Sequence, residues 1–163
     1  MDFDIVNALF EKLVKTLIEN KLSITCMESI TGGTFATLIT NISGSSGIFR
    51  GSFVTYSNEA KITEGVNPDI IDEYSVYSLE TATEMARAAK EKMGADIGIG
   101  ITGTAGNTDP ANASFSIPGE VYYAINVSGQ EFCEKITLKP NESRFSLKLE
   151  ICRYIAETLL TLL

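Results

Sequence analysis

Two short, mostly apolar runs, Leu22 to Met27 and Asp96 to Ile101, each give way to a turn rich in Gly, Ser and Thr. Runs of this kind suit strands covered on both faces, and such strands need helices on either side of a sheet. The rest of the chain supplies them. Ile5, Leu9, Leu13, Leu17 and Ile18 recur at helical spacing over residues 3–19. Thr34 to Ile39 reads as a helix, Phe49 to Tyr56 as a strand, and Asn58 to Lys61 as the start of a short helix. Pro68 opens a turn or short helix to Tyr74, and Ala82, Met85, Ala86, Ala89 and Met93 mark a helix over Leu79 to Met93. Gly119 to Val127 and Gln130 to Leu138 read as a hairpin about Ser128-Gly129. Pro140 suits a first helical turn, with a closing helix over Glu142 to Leu162. This order predicts a three-layer α/β/α sandwich with a mixed β-sheet, and 163 residues fit one domain, 1–163.

The chain contains no histidine. It cannot by itself assemble a Ser-His-Asp triad, a Cys-His dyad or a His-ligated zinc site. A nucleophile here must take Lys, Asp/Glu or Tyr as its base. Against 13 Lys+Arg stand 21 Asp+Glu, a net charge of −8. That balance disfavours a broad phosphate-backbone footprint, so no nucleic-acid partner is expected. Cys26, Cys133 and Cys152 are odd in number and form no CxxC, and they read as reduced, buried thiols, Cys26 within the core. No apolar stretch approaches the roughly 20 residues of a membrane span. The acidic start Met1-Asp2-Phe3-Asp4 lacks the basic region of a signal peptide. No membrane partner is expected, and the expected compartment is the cytoplasm.

Four segments sit at element junctions where chemistry could gather. Glu28-Ser29-Ile30-Thr31-Gly32-Gly33 follows a buried strand and opens a helix, where free N–H groups and the helix dipole suit a phosphate or an oxyanion beside a nucleophilic Ser29. Its plainer reading is a helix cap by Ser29 or Thr31, with glycines that merely turn the chain. Tyr56-Ser57-Asn58-Glu59-Ala60-Lys61 places a lysine at a strand-to-helix junction. If desolvated, Lys61 becomes a usable base, with Tyr56 as proton relay; otherwise it is an ordinary solvated side chain. Gly98 to Gly106 reads as a strand running into a Gly-rich turn at the sheet's carboxyl edge, where ligands bind, or as a plain turn. Arg144, at the start of the last helix, is either a bidentate phosphate ligand or a surface cation. Nucleophile, amine base and backbone donors together are what a histidine-free serine hydrolase requires. The same set also suits a non-catalytic nucleotide- or phosphate-binding module acting through a protein partner.

The run Met27 to Gly33, then Ser43-Gly44-Ser45-Ser46, Phe49-Arg50-Gly51 and Val54 to Lys61, resembles the CinA C-terminal domain family of competence/damage-inducible proteins. The Gly98 to Gly106 segment, Pro118-Gly119-Glu120-Val121-Tyr122 and Arg144 also fall at family positions, so the resemblance spans nearly the whole chain. It implies metal-free deamidation of nicotinamide mononucleotide to nicotinate mononucleotide and ammonia, with no cofactor. By motif position Ser29 would be the nucleophile, Lys61 its base and Tyr56 an assisting group. Thr31, Gly32 and Gly33 would supply backbone donors, Gly103, Thr104 and Ala105 would line the pocket, and Arg144 would meet the substrate's charged end. The partner implied is a small pyridine nucleotide. Small α/β enzymes of this kind are commonly symmetric, so a homo-oligomer, dimer or higher, is expected.

The chain departs from the family pattern around the pocket. Ile30 stands for the usual Cys, Met27 for Ala, Tyr77 for Ser and Asn107 for Pro. The loop Thr108 to Ile117 lacks the usual glycines, Glu142-Ser143 replaces Gly-Asp, and Lys148 replaces a second Arg.

Overall fold

A computed structural model describes residues 1–139 and 143–163. Pro140 and Glu142, assigned from sequence to the first turn of the last helix, lie outside the described residues. Five strands form one mixed sheet in the order β2-β1-β3-β4-β5: β1 (Ile24–Glu28), β2 (Phe49–Val54), β3 (Ile97–Gly103), β4 (Glu120–Val127) and β5 (Gln130–Thr137). β1 pairs parallel to both β2 and β3, whereas β3-β4 and β4-β5 are antiparallel. Helices α1 (Phe3–Asn20), α2 (Thr34–Thr40) and α6 (Arg144–Leu162) pack together on one face. The short helices α3 (Asn58–Thr63) and α4 (Pro68–Tyr74) lead to α5 (Leu79–Met93), which covers the other face. This is the α/β sandwich with a mixed sheet that the sequence predicts.

β1 and β3 are buried along their full length, as central strands between two helical layers should be. The α1/α2/α6 face holds the larger core cluster, built on Phe10, Phe35, Ile99, Ile125 and Ile155. Phe10 and Phe35 meet edge to face at 5.2 Å. α1 buries Val6, Phe10, Leu13, Val14 and Leu17, so the expected stripe is turned: Ile5 and Ile18 are exposed. Two apolar columns compete on this helix, and the one carrying Phe10 wins because it buries more surface.

Gly98 and Gly100 lie within β3, in the strand expected over Asp96 to Ile101. A Cβ on Gly100 would lie 2.0 Å from the Ala82 carbonyl oxygen, and one on Gly98 2.2 Å from that of Ala86. These glycines let α5 settle directly on the sheet. The hairpin turns through Ser128 and Gly129, both at positive φ, which matches the twist of the strands it joins. Cys26 and Cys152 are buried and free, but Cys133 is exposed, because β5 is an outer strand whose residues are largely open to solvent. Among the described residues, no helix is long and apolar enough to cross a membrane.

Candidate active site

The chain leaves β1 for β2 on one side and later returns to β3 on the other, so β1 is the topological switch of the sheet. Ligands in open α/β sheets bind outside the carboxyl ends of strands at such a switch. A cleft of about 590 Å³ opens there, lined by Ser29 and Ile30 after β1, Tyr56 to Glu59 and Lys61 after β2, and Gly103 to Ala105 at the end of β3. Arg144 from the start of α6 and residues 107–112 close its sides.

Ser29 and Lys61, 32 positions apart, meet in this cleft. Lys61 Nζ donates to Ser29 Oγ at 3.1 Å and to the Thr55 carbonyl at 2.8 Å. Ser57 caps α3 by accepting from the Ala60 amide, and that cap fixes the helical turn from which Lys61 reaches inward. Lys61 is 1% exposed and Ser29 7%. Burial disfavours the ammonium form and lowers the Lys61 pKa to about 8, while the negative charge of Asp109 partly opposes the shift.

The turn between β1 and α2 is organised by Glu28, which is wholly buried. Its Oε2 accepts from the amides of Gly33 at 3.1 Å and Phe35 at 3.0 Å, and its Oε1 from that of Ala36 at 2.9 Å. Neither Ser29 nor Thr31 caps α2; the cap is this side chain, reaching across from the strand. The Gly32 amide is also committed, to the Ser29 carbonyl at 3.0 Å. Gly32 and Gly33 therefore offer no free donors. They take positive φ to turn the chain, and neither they nor Thr31 lines the cleft. Among the described residues, the amides left without a partner in this turn are those of Ile30 and Thr31. The hydroxyl of Thr31 is likewise buried and unpartnered. The Cys26 thiol, buried and donating to Glu28, has its pKa pushed up by that burial and stays protonated.

Of the other residues expected at the site, Tyr56, Gly103, Thr104, Ala105 and Arg144 all line the cleft. Arg144 Nη2 donates to the Tyr56 hydroxyl at 3.3 Å, joining α6 to the β2–α3 junction. Thr104 Oγ1 donates to the Ile117 carbonyl, and this holds down the loop that follows β3. Gly103 sits so close to β4 that a Cβ would lie 2.5 Å from the Glu120 carbonyl oxygen.

Sequence reasoning passed over Asp109, whose carboxylate accepts from the Tyr77 hydroxyl and from Asn112 Nδ2 at 2.7 Å. Asn112 in turn accepts from Asn58 across the cleft at 3.3 Å. These bonds, that to Asn112 first, hold the Asp109 pKa below the usual carboxylate range. Burial, then the bond to Asp109, pushes the Tyr77 phenol up. The signal for this cluster was the drift of Tyr77 and residues 107–117 from the family pattern, read from sequence only as a reshaped pocket. Among the described residues, no group of three or more Cys, Asp or Glu is placed to hold a metal ion.

A buried lysine facing a serine at the switch of a mixed α/β sheet defines a histidine-free Ser–Lys site. The chain belongs to the CinA C-terminal domain family, whose model matches residues 6–163. A CinA-like protein of Flavobacterium psychrophilum is 41% identical over 133 residues, 80% of this chain and 31% of that one. A CinA-like protein of Dictyoglomus turgidum is 35% identical over 142 residues, 86% of this chain and 34% of that one. The chain thus spans about a third of the length of these curated relatives. A CinA superfamily protein of Escherichia coli superposes with a TM-score of 0.90 at 28% identity, covering 100% of this chain and 93% of that one. A competence/damage-inducible protein of Agrobacterium tumefaciens gives a TM-score of 0.86 at 26% identity, covering 96% and 94%.

Proposed function

We propose that the protein is a metal-independent amidohydrolase that converts nicotinamide mononucleotide and water to nicotinate mononucleotide and ammonia, acting on a cytoplasmic pyridine nucleotide pool as a homo-oligomer. The observation that carries the reading is the buried Lys61–Ser29 contact at 3.1 Å, with the amine's pKa lowered to about 8. A base of that strength is available near neutral pH.

Neutral Lys61 takes the Ser29 proton as Oγ bonds to the carboxamide carbon. The carbonyl electron pair moves onto oxygen, where the uncommitted amide of Ile30, a residue of the cleft wall, is the donor at hand. Collapse re-forms the carbonyl and breaks the C–N bond, and the departing nitrogen takes the proton from Lys61 and leaves as ammonia. Lys61 then draws a proton from water, which attacks the Ser29 ester. Release of the carboxylate returns the hydroxyl to Ser29. Arg144, tied to Tyr56 at the cleft wall, meets the phosphate.

The test is incubation of the purified protein with nicotinamide mononucleotide and a chelator. Ammonia and nicotinate mononucleotide in equal amounts are expected. Saturable binding of the nucleotide with no ammonia would overturn the reading in favour of a binding module.

A further inference from the structure

Besides Lys61 and Glu59, the cleft is lined by two unlike charges in different surroundings, Arg144 and Asp109. Arg144 bonds to Tyr56. Asp109 is held by neutral donors alone: the Tyr77 hydroxyl, Asn112 Nδ2 and, on its other oxygen, the Ala111 amide at 3.0 Å. These groups orient the carboxylate without cancelling its charge, and among the described residues Asp109 forms no ion pair.

Building on the amidohydrolase reading, we propose that Asp109 is a specificity-determining residue whose carboxylate pairs with a positive charge on the ligand's ring, so that the cleft selects a quaternised pyridinium amide over its uncharged counterpart. Lys61 must be neutral to act as the base. At that moment Asp109, which faces the cleft within electrostatic reach of Lys61, has no cationic partner among the described residues. In a pyridine-3-carboxamide the ring nitrogen lies across one ring from the reacting carbon, so a carboxamide seated on Ser29 brings its ring charge into the same cleft. Pairing there also removes the pull by which Asp109 keeps Lys61 protonated. Binding of the cationic ring and deprotonation of the base therefore favour each other. Glu59, the other carboxylate lining the cleft, is open to water and screened.

Nicotinamide mononucleotide and its dihydro form provide the test, because they share the ribose phosphate and differ in ring charge. Affinities of both are measured by calorimetry in the Ser29→Ala background, with Asp109 intact and with Asp109→Asn, Asp109→Ser or Glu59→Gln added, beside melting temperatures and ammonia release from the oxidised form by wild type. The protein with Asp109 intact is expected to bind the cationic form about tenfold more tightly. Either neutral variant at position 109 that melts like wild type should bring the two affinities together, through weaker binding of the oxidised form. Glu59→Gln should keep the preference. Equal weakening of both nucleotides at position 109, or loss of the preference in Glu59→Gln, would overturn the proposal while ammonia release by wild type still stands. Failure of wild type to release ammonia would instead remove the amidohydrolase reading on which the proposal rests.

Discussion

Lys61 Nζ lies 3.1 Å from Ser29 Oγ, and neither side chain has more than a few per cent of its surface in water. In the proposed mechanism the pKa of the amine, about 8, sets the fraction of protein with a usable base. Only the neutral amine accepts the serine proton. Accordingly kcat/KM for nicotinamide mononucleotide should climb about tenfold per pH unit below the Lys61 pKa and level off above it. A profile measured between pH 5.5 and 9.5 checks this. A flat profile across that range would remove Lys61 as the base.

The same burial has a stability cost. The folded-state pKa of Lys61 is depressed from 10.5 to about 8, so the unfolded chain holds the proton more tightly than the native one. Stability therefore rises with pH between about 8 and 10.5, by roughly 3 kcal/mol for a shift of this size. Lys61→Met should be more stable than wild type below pH 8, and its advantage should shrink as the pH approaches 10.5. Denaturant midpoints of the two proteins against pH are the measurement.

Glu28 holds three amides at the start of α2 from inside the core. Glu28→Ala leaves those donors buried and unpaired, and should cost about 3 kcal/mol of stability. Because the same turn positions Ser29, ammonia release should fall further than the folded fraction does. Urea unfolding and activity measured on one preparation separate the two effects.

Gly100 allows α5 to rest on β3, and its missing Cβ would otherwise meet the backbone of Ala82 and Ala86. Gly100→Ala should destabilise by about 3 kcal/mol. Gly47 has nothing within 4 Å of its missing Cβ, so Gly47→Ala should leave the melting temperature near wild type. Thermal unfolding of both variants tests the contrast.

Arg144 is read as the phosphate ligand. Arg144→Ala should raise KM for the mononucleotide about tenfold to a hundredfold, while leaving the far weaker turnover of the phosphate-free riboside nearly unchanged. Steady-state kinetics on the two substrates decides it.

The alternation of helical and strand-like runs made the layers legible, and α5 appears over the residues where its periodicity placed it. The junction logic also put Ser29, Lys61, Tyr56 and Arg144 at element ends that share one sheet edge. What escaped was non-periodic. A Glu at the end of an apolar run shows no sign that its carboxylate will cap a helix several residues on, so the α2 amides were assigned to a ligand when Glu28 consumes them. Thr102 and Gly103 read as the start of a Gly-rich turn, whereas pairing with Tyr122 and Val121 of β4 carries the strand through them, and that pairing is tertiary. Asp109 gained its place through loop hydrogen bonds to Tyr77 and Asn112, which no spacing rule foretells.

The most direct test of the Ser29–Lys61 site is ammonia release from nicotinamide mononucleotide by wild type and Ser29→Ala, each checked for folding and nucleotide binding. The account predicts that Ser29→Ala folds and binds the nucleotide but releases no ammonia above background. Release by Ser29→Ala at a rate near that of wild type would contradict it.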